Sequence, residues 1–449
     1  MPTQTSRHSR YLALAVSALA LPPLAQAQAP TAAINAEFPA LTDTYKDLHA
    51  HPELSHYEER TSHVLAEALR HDGYTVTERI GRYPDGSQAY GVVGILKNGP
   101  GPTLMIRADM DALPIVEETG VPYASHVMTK TKSGQDTGVM HACGHDVHTT
   151  VMIGTAHALA ASKSQWHGTL MLVGQPSEET IDGAKAMLAD HLYQRFGRPD
   201  KIIGLHDTNT LPAGKLGFVP GPTLASSTSI DVLIRGIGGH GSAPQLGRDP
   251  ITLAAYYITE LQTIVSREED PQDPSVVTVG DIHGGTKRNI IPDEVKLELT
   301  TRAFSDKSRP TVIDGLNSLA AGLTTAYNLP TDKAAKVTVL EDESTPVMFN
   351  NPALMAQLTP VLAKALGPDN VLQQQRVMGS EDVGVFGLDR QIPVAFFWLG
   401  AMDPTKFAAA QAAGKPLPGP HTSHFQPDPG PTLHTGVIAM TTAAMALLR

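Results

Sequence analysis

Met140-His-Ala-Cys-Gly-His-Asp-Val-His148 places one thiol, three imidazoles and one carboxylate within nine residues. In extended backbone, Cys143 and His145 lie two positions apart and their side chains leave the same face. Gly144 between them leaves room for the close approach of another group. A thiolate and an imidazole from one short loop make half of a site for a borderline metal. An isolated Cys-x-His triplet is more often a buried cysteine beside surface histidines, so the interpretation depends on the rest of the chain.

Apolar runs around this stretch predict strands that are buried on both faces, as in a mostly parallel sheet. Three of the runs lead into acidic or imidazole residues, and in open α/β sheets ligands bind at the carboxyl ends of the strands. The sequence therefore predicts an α/β catalytic domain flanked by helices, with a site at this edge of the sheet. The runs are Gly91–Leu96, Thr103–Arg107, Thr169–Val173 and Lys201–Leu205, and the residues that follow are Asp109 and Asp111, Glu178 and Glu179, and His206 and Asp207.

Helices are predicted before and between these strands. Ser55-His-Tyr-Glu58 has the pattern of a capping box that opens a helix ending near Gly73. A second helix follows the cysteine loop, from about Val147 to Ala161.

The hydrophobic pattern of the predicted strands changes after Pro220-Gly-Pro222. Strands in the next segment alternate polar and apolar residues, as a one-sided antiparallel sheet does. The order strand, helix, two strands, helix, strand predicts an inserted ferredoxin-like α+β lid or dimerisation domain. We therefore expect a catalytic domain in two parts, residues 30–222 and 344–449, interrupted by an insert at residues 223–343.

The composition is that of an ordinary globular protein, with 41% hydrophobic and 18% charged residues among 449. A formal net charge of -11 argues against nucleic acid or an anionic membrane as a partner. Cys143 is the one cysteine, so no intrachain disulfide can form.

Residues 1–29 have the order of a secretory signal peptide: Arg7 and Arg10, an apolar run from Tyr11 to Leu24, and small residues near Ala27. An uncleaved anchor is the alternative, although the run is short for a membrane span. We expect an exported protein, periplasmic or secreted, that is not bound to a membrane after cleavage. A lone thiol in an oxidising compartment is a liability unless it is buried or coordinated, which favours a metal ligand.

The Met140–His148 stretch closely resembles the aminoacylase/carboxypeptidase family of dimetal hydrolases, and in particular the branch of hippurate hydrolases, N-acyl-amino-acid amidohydrolases and auxin-conjugate hydrolases. The same resemblance is carried by Arg107-Ala-Asp-Met-Asp-Ala-Leu-Pro114, Gln175-Pro-Ser-Glu-Glu179, Gly204-Leu-His206 and Gly238-Gly-His-Gly-Ser-Ala-Pro244. It extends from about Asp47 to the C-terminal helix, which is almost the whole chain after the leader.

This resemblance implies two divalent metal ions, zinc or manganese, with cobalt or nickel as further candidates. The implied ligands are Cys143, His145, Glu179, His206 and His421, and the implied general base is Glu178. The family pattern selects His421 within His421-Thr-Ser-His-Phe425, but Ser423 replaces the usual proline and keeps His424 as a rival.

The resemblance also implies roles for three residues of the insert and for the acidic neighbours of the ligands. His240 stabilises the oxyanion, often in the partner subunit's site, and Asn289 and Arg302 bind the substrate carboxylate. Asp109, Asp111 and Asp146 orient ligand imidazoles. A homodimer or higher homo-oligomer is implied as well.

The expected reaction is hydrolysis of N-acyl or N-aroyl amino acids, hippurate-like small molecules, by metal-activated water with Glu178 as general base. One alternative is a metallo-carboxypeptidase or dipeptidase that acts on peptides. Two further alternatives are a metal-free amidase with Cys143 as nucleophile and a non-catalytic exported binding or metal-storage protein.

Overall fold

The computed structural model describes residues 30–130 and 134–449, so the predicted signal peptide lies outside the described residues. Ten α-helices occur in the described part: α1 Thr31–Ala50, α2 Glu59–His71, α3 His145–Ala161, α4 Gly183–Ala189, α5 Leu192–Phe196, α6 Pro250–Glu260, α7 Ser308–Ala326, α8 Pro352–Leu366, α9 Pro404–Ala413 and α10 Pro429–Leu447.

The strands of the described part are β1 Thr75–Arg82, β2 Gln88–Asn98, β3 Thr103–Asp109, β4 Met128–Lys130, β5 Asp136–Gly138, β6 Gly168–Gln175, β7 Lys201–Pro212, β8 Leu216–Phe218, β9 Gly221–Leu224, β10 Ser226–Arg235, β11 Gly239–His240, β12 Ser275–Gly284, β13 Ile290–Ile291, β14 Glu294–Ala303, β15 Lys336–Thr345, β16 Met348–Asn350, β17 Val371–Gln373 and β18 Val394–Met402.

An eight-stranded sheet in the order β1-β2-β6-β3-β7-β18-β8-β17 forms the centre of the fold. Its central strands β6, β3, β7 and β18 are parallel, whereas β1 and β2 pair antiparallel at one edge. The predicted α/β class with a mostly parallel sheet is confirmed.

Both faces of this sheet are covered, as the all-apolar strands predicted. Along β6, Leu170 and Leu172 enter the core beneath α1, α2, α3, α8 and α10, while Met171 and Val173 enter a second core with α4 and α5. Successive side chains of a strand point to opposite faces, so a strand covered on both sides is apolar throughout.

A four-stranded antiparallel sheet in the order β12-β14-β10-β15 carries α6 and α7. This is the strand order of a ferredoxin-like unit. Ile230, Val232 and Ile234 alternate with partly exposed residues and pack against the two helices. Asp249 accepts a hydrogen bond from the amide of Ile251, as expected of the N-cap residue before a first-turn proline.

The predicted capping box at Ser55–Glu58 is wrong, although the helix that follows it is present. Helix α2 begins at Glu59, and the first-turn amides of Arg60 and Thr61 donate to the carboxylate of Glu53 at 2.9 and 2.8 Å. Glu58 is buried and binds a different part of the chain. The capping pattern was misleading because Ser55 donates its hydroxyl hydrogen bond to Asp111 at 2.6 Å instead.

Among the residues that the structure describes, no helix has both the length and the apolar character needed to cross a membrane.

Candidate metal centre

The cysteine loop lies at the carboxyl edge of the central sheet and ends at the N-terminus of α3. Its backbone turns rather than extending: Gly144 has a φ of 76°, and His145 is the first residue of the helix. A side chain at position 144 would collide with the carboxylate of Asp207. Glycine is therefore required both for the left-handed conformation and for the close approach.

The five predicted ligands converge at this loop. The sulfur of Cys143 lies 3.4 Å from Nε2 of His206 and 3.3 Å from Nε2 of His421. Nε2 of His421 lies 3.4 Å from Oε2 of Glu179, and Nε2 of His145 lies 3.9 Å from Oε1 of Glu179.

Two groups of potential ligand atoms share the cysteine sulfur, namely Cys143 with His145 and His206, and Cys143 with Glu179 and His421. Within each group the atoms lie within 4.8 Å of one another. One thiolate, three imidazoles and one carboxylate at this spacing suit a pair of divalent ions.

The imidazoles present the correct nitrogen to the cluster. Nδ1 of His206 donates to the carbonyl of Asp207 at 2.7 Å, which assigns the lone pair to Nε2. Nδ1 of His145 lies 3.2 Å from Oδ1 of Asp111. The other ring nitrogen, Nε2 of His145, is buried and makes no hydrogen bond within the described residues, and the same is true of Oε1 of Glu179. Buried polar atoms are normally satisfied, so these atoms fit the site of a cation.

Of the three carboxylates predicted to orient ligand imidazoles, Asp111 contacts one, because it faces Nδ1 of His145. Asp109 and Asp146 instead hydrogen-bond to His148 and His49, which are not predicted ligands. Asp111 accepts from the amides of Glu178 and Glu179 at 3.1 and 3.0 Å as well as facing His145. Asp109 lies 2.5 Å from Nδ1 of His148, and Asp146 lies 2.7 Å from Nδ1 of His49. His148 and His49, which had no predicted role, are therefore each held by a buried carboxylate.

Glu178 lies beside the cluster, with Oε2 at 3.9 Å from Nε2 of His145. It is 7% exposed. Burial, followed by the like charges of Glu381 and Glu179, raises the pKa of the Glu178 carboxyl. A buried carboxyl group with a raised pKa beside the cluster is suited to proton transfer.

Burial and the adjacent Glu179 also raise the pKa of the Cys143 thiol. Nucleophilic cysteines need a lowered pKa, so this environment disfavours the interpretation of Cys143 as the nucleophile of a metal-free amidase.

A cavity of about 630 Å³ opens from the cluster. Arg302, near the end of β14, lines it and donates a hydrogen bond from Nη1 to Oγ of Ser380. Burial lowers the pKa of this guanidinium below its usual value, but arginine stays charged. Part of the wall is apolar, formed by Ile181, Leu224, Val377, Met378 and Trp398.

The structure places His240 and Asn289 outside this cavity. Both are exposed, and they are neighbours of each other, because His240 pairs with Ile290 and the amide of Gly241 donates to the carbonyl of Asn289 at 2.9 Å. Nδ1 of His240 accepts from the hydroxyl of Ser242 at 2.7 Å. Of the three predicted insert residues, only Arg302 lines the cavity of its own chain.

The geometry separates His421 from its rival. His421 has a φ of 65°, and its amide donates to the carbonyl of Ala142, which turns its ring toward Cys143. His424 instead contacts Ser423 at 2.9 Å, and Ser423 donates to Glu118 at 2.6 Å. The serine that replaces the family's proline therefore anchors the loop by hydrogen bonding.

One buried charge cluster was not predicted. The guanidinium of Arg107 is fully buried and binds Asp109 at 2.7 Å, Glu381 at 2.8 Å and Asp382 at 3.0 Å. It thereby joins Asp109, at the end of β3, to residues 379–382, of which Gly379 and Ser380 line the cavity. The sequence did contain a signal for this cluster, because Arg107 ends a predicted apolar strand and buried arginines are nearly always paired with carboxylates.

A model of peptidase family M20/M25/M40 matches residues 105–413. The chain is 35% identical to the hippurate hydrolase of Campylobacter jejuni over 78% of this chain and 85% of that protein. It is 32% identical to thermostable carboxypeptidase 2 of Saccharolobus solfataricus over 80% of this chain and 86% of that protein. A dinuclear metal-binding peptidase of the M20 family from Bacillus subtilis superposes with a TM-score of 0.71 at 27% identity, covering 92% of this chain and 99% of that one. The chain belongs to peptidase family M20/M25/M40 and is a metal-dependent hydrolase of amide bonds.

Proposed function

We propose that this enzyme hydrolyses the amide bond of N-acyl or N-aroyl amino acids that carry a free carboxylate. The observation that carries the proposal is one cavity lined by Glu178, the Arg302 guanidinium and four of the five donors, Cys143, Glu179, His206 and His421. An arginine suits a carboxylate, and the apolar wall suits an acyl or aromatic group. The similarity to a hippurate hydrolase supports the same substrate class.

Cys143, His145, Glu179, His206 and His421 would hold two divalent ions, zinc or manganese, with cobalt or nickel as further candidates. When bound, the ions supply Lewis acidity and lower the pKa of water. Glu178 accepts the proton of the attacking water and later delivers it to the leaving nitrogen. Asp111 fixes the backbone of Glu178 and Glu179 during this transfer, because it accepts hydrogen bonds from both amides.

A substrate panel tests the proposal. Purified enzyme is assayed for amine release from hippurate, N-acetyl amino acids and their carboxamide-capped analogues, alongside dipeptides and benzyloxycarbonyl-capped peptides. Preference for the free-acid N-acyl amino acids is the expected result. A preference for dipeptides or longer peptides would favour the second candidate, a carboxypeptidase or dipeptidase, which the similarity to a thermostable carboxypeptidase supports.

We further propose that residues 223–343 act as a lid and dimerisation domain and that His240 serves the site of the partner subunit. The exposure of His240 and Asn289 outside their own cavity supports this assignment. The edge strand β12 also exposes Val276 and Ile282, which are 36% and 52% exposed. Unpaired edge strands with apolar residues are suited to pairing with another copy.

Mixing inactive variants tests shared sites. Glu178→Gln and His240→Ala chains are each expected to be inactive, and co-refolded mixtures are expected to regain turnover, because a mixed dimer contains one site with both residues intact. A monomer by light scattering, or mixtures that stay inactive, would contradict the proposal.

Export through cleavage of residues 1–29 is also proposed, on the charged, apolar and small-residue order of that segment. N-terminal sequencing of the protein from a fractionated host is expected to begin near residue 28 or 30. A cytoplasmic protein with the intact N-terminus would contradict export.

A further inference from the structure

Glu58 is a buried carboxylate that no proposed catalytic step uses. Its side chain is among the fully buried polar groups. Oε1 accepts hydrogen bonds from the amide of Ser177 at 2.8 Å, the hydroxyl of Ser177 at 3.0 Å and the amide of His56 at 3.0 Å. Three donors from two distant segments therefore meet at one oxygen.

The two residues that Glu58 binds are both in the left-handed region. Ser177 has a φ of 55° and His56 a φ of 73°. Residues other than glycine occupy this region at a cost and persist there where the surroundings hold them. Ser177 immediately precedes Glu178, so the conformation at Ser177 sets the direction in which the Glu178 side chain leaves the backbone.

A second set of contacts supports the same turn. The hydroxyl of Tyr83 lies 2.6 Å from Oγ of Ser177, and the amide of His56 also donates to that oxygen at 2.9 Å. The ring of His56 stacks on Tyr83 with centroids 4.1 Å apart, and its Nε2 lies 3.1 Å from Asp182.

The C-terminal end of the turn, at Gly183, is also held by close backbone contacts. The amide of Gly183 donates to the carbonyl of Ser177 at 3.1 Å, and a side chain at position 183 would collide with the carbonyl of Pro176. The segment that carries Glu178 and Glu179 is therefore held from both ends, with Glu58 as the acceptor at its beginning.

We propose that Glu58 is a positioning residue for amide hydrolysis, which holds Ser177 in its left-handed conformation and thereby directs the Glu178 carboxylate toward the ligand cluster. The inference rests on the proposed role of Glu178 as general base. The proposed role requires that Oε1 of Glu58 accept hydrogen bonds. Burial, and after it the nearby Asp111, raise the pKa of Glu58 to about 8, which is consistent with a side chain that works without a negative charge.

Replacement of Glu58 by glutamine and by alanine tests the proposal, with kcat, KM and metal content measured for each. Glu58→Ala removes the acceptor and is expected to lower kcat about 10- to 100-fold, the usual scale for groups that orient a reacting side chain. KM and metal content are expected to change less than about two-fold, because the ligands and Arg302 are retained. Glu58→Gln keeps an oxygen at the same position and is expected to restore most of kcat.

Glu53→Ala is the matched control. Glu53 caps α2 through the amides of Arg60 and Thr61, five residues before Glu58, and none of its hydrogen bonds reaches the turn that carries Glu178. This variant is expected to unfold at a lower temperature but to retain the kcat of the wild type. If Glu58→Ala does not fold, Ser177→Ala replaces it, and a several-fold loss of kcat is expected because the hydroxyl loses its bonds to Glu58, His56 and Tyr83.

Each outcome decides a separate point. An inactive Glu178→Gln enzyme beside a Glu58→Ala enzyme with full kcat overturns the role of Glu58 alone. Equal losses of kcat in Glu53→Ala and Glu58→Ala, or no rescue by glutamine, also overturn it. If Glu178→Gln retains turnover, the base assignment fails and the Glu58 proposal fails with it.

Discussion

The sulfur of Cys143 lies 3.3 Å from Nε2 of His421, although 278 positions separate the two residues in the chain. The contact joins the loop before α3 to the loop before α10, and it is secured by the hydrogen bond from the His421 amide to Ala142. The two loops together complete a donor set that neither contains alone.

Replacement of His421 is expected to weaken metal binding, whereas replacement of His424 is not. His421→Ala removes a nitrogen from the group that contains Cys143 and Glu179. We expect loss of about one ion per chain after dialysis and a fall in kcat of about 100-fold or more, since even residues that only orient ligands cost 10- to 100-fold. His424→Ala is the matched control, because its ring faces Ser423 and Glu118. The reverse pattern by metal analysis and turnover would assign the ligand to His424.

Glu178→Gln is expected to retain both ions and to lose turnover by about 10²- to 10⁴-fold, the usual contribution of general acid–base catalysis. Glu179→Gln is expected to lose metal as well, because Glu179 contacts His145 and His421 in the cluster. Metal content and kcat measured on both variants separate a base from a ligand. Near-normal turnover of Glu178→Gln would refute its role.

Arg302→Ala is expected to lower kcat/KM for N-acyl amino acids about 10- to 100-fold, because a hydrogen bond to a charged group contributes about 1.5–3 kcal/mol. The loss is expected to disappear with carboxamide-capped substrates, which carry no anion for the guanidinium. Steady-state kinetics on both substrates provide the measurement. An equal loss on the two substrates would show that Arg302 acts on the structure of the cavity through Ser380 and not on the carboxylate.

The pH dependence of stability is expected to include a contribution from His49. Burial by itself lowers the pKa of His49, but hydrogen bonds from the ring to Asp146 and Glu117 raise it from 6.5 to about 10. Because the pKa of His49 is higher in the folded state than in the unfolded state, the protonated ring stabilises the fold. This stabilisation is fully present below pH 6.5 and is lost as the pH rises toward 10.

Denaturant unfolding of wild type and His49→Asn between pH 6 and pH 10 checks this expectation. The gap in unfolding free energy between the two proteins is expected to shrink by about 2–4 kcal/mol across this range. His51→Asn, at an exposed position two residues away, serves as the control and is expected to show no comparable change. A gap that grows with pH would contradict the paired imidazolium.

Much of the fold was predictable because buried strands and one-sided strands have different periods. The centre of β6, from Leu170 to Val173, is apolar because both faces of the sheet are covered there, whereas β10 alternates because only one face of its sheet packs against helices. Local chemistry was harder to predict. Ser55 and Glu58 satisfy a capping pattern, yet tertiary partners, Asp111 and Ser177, compete successfully for both side chains.

The convergence of the five predicted ligands could be expected from their specific motifs, and the structure places their side chains close together. The exposure of His240 and Asn289 outside the cavity has no local signal in the sequence, because it depends on how the insert packs. The hydrogen bonds that hold the turn at Ser177 also have no local signal in the sequence. His56 and Ser177 are separated by 121 positions, and only the packed fold shows that both donate to Oε1 of Glu58.

The number of divalent ions bound per chain tests the central claim most directly. The full-length enzyme, dialysed against metal-free buffer and measured by inductively coupled plasma mass spectrometry beside turnover, is expected to carry two ions per chain and to lose activity as they are removed by a chelator. Full turnover in enzyme that carries fewer than one ion per chain would contradict the account.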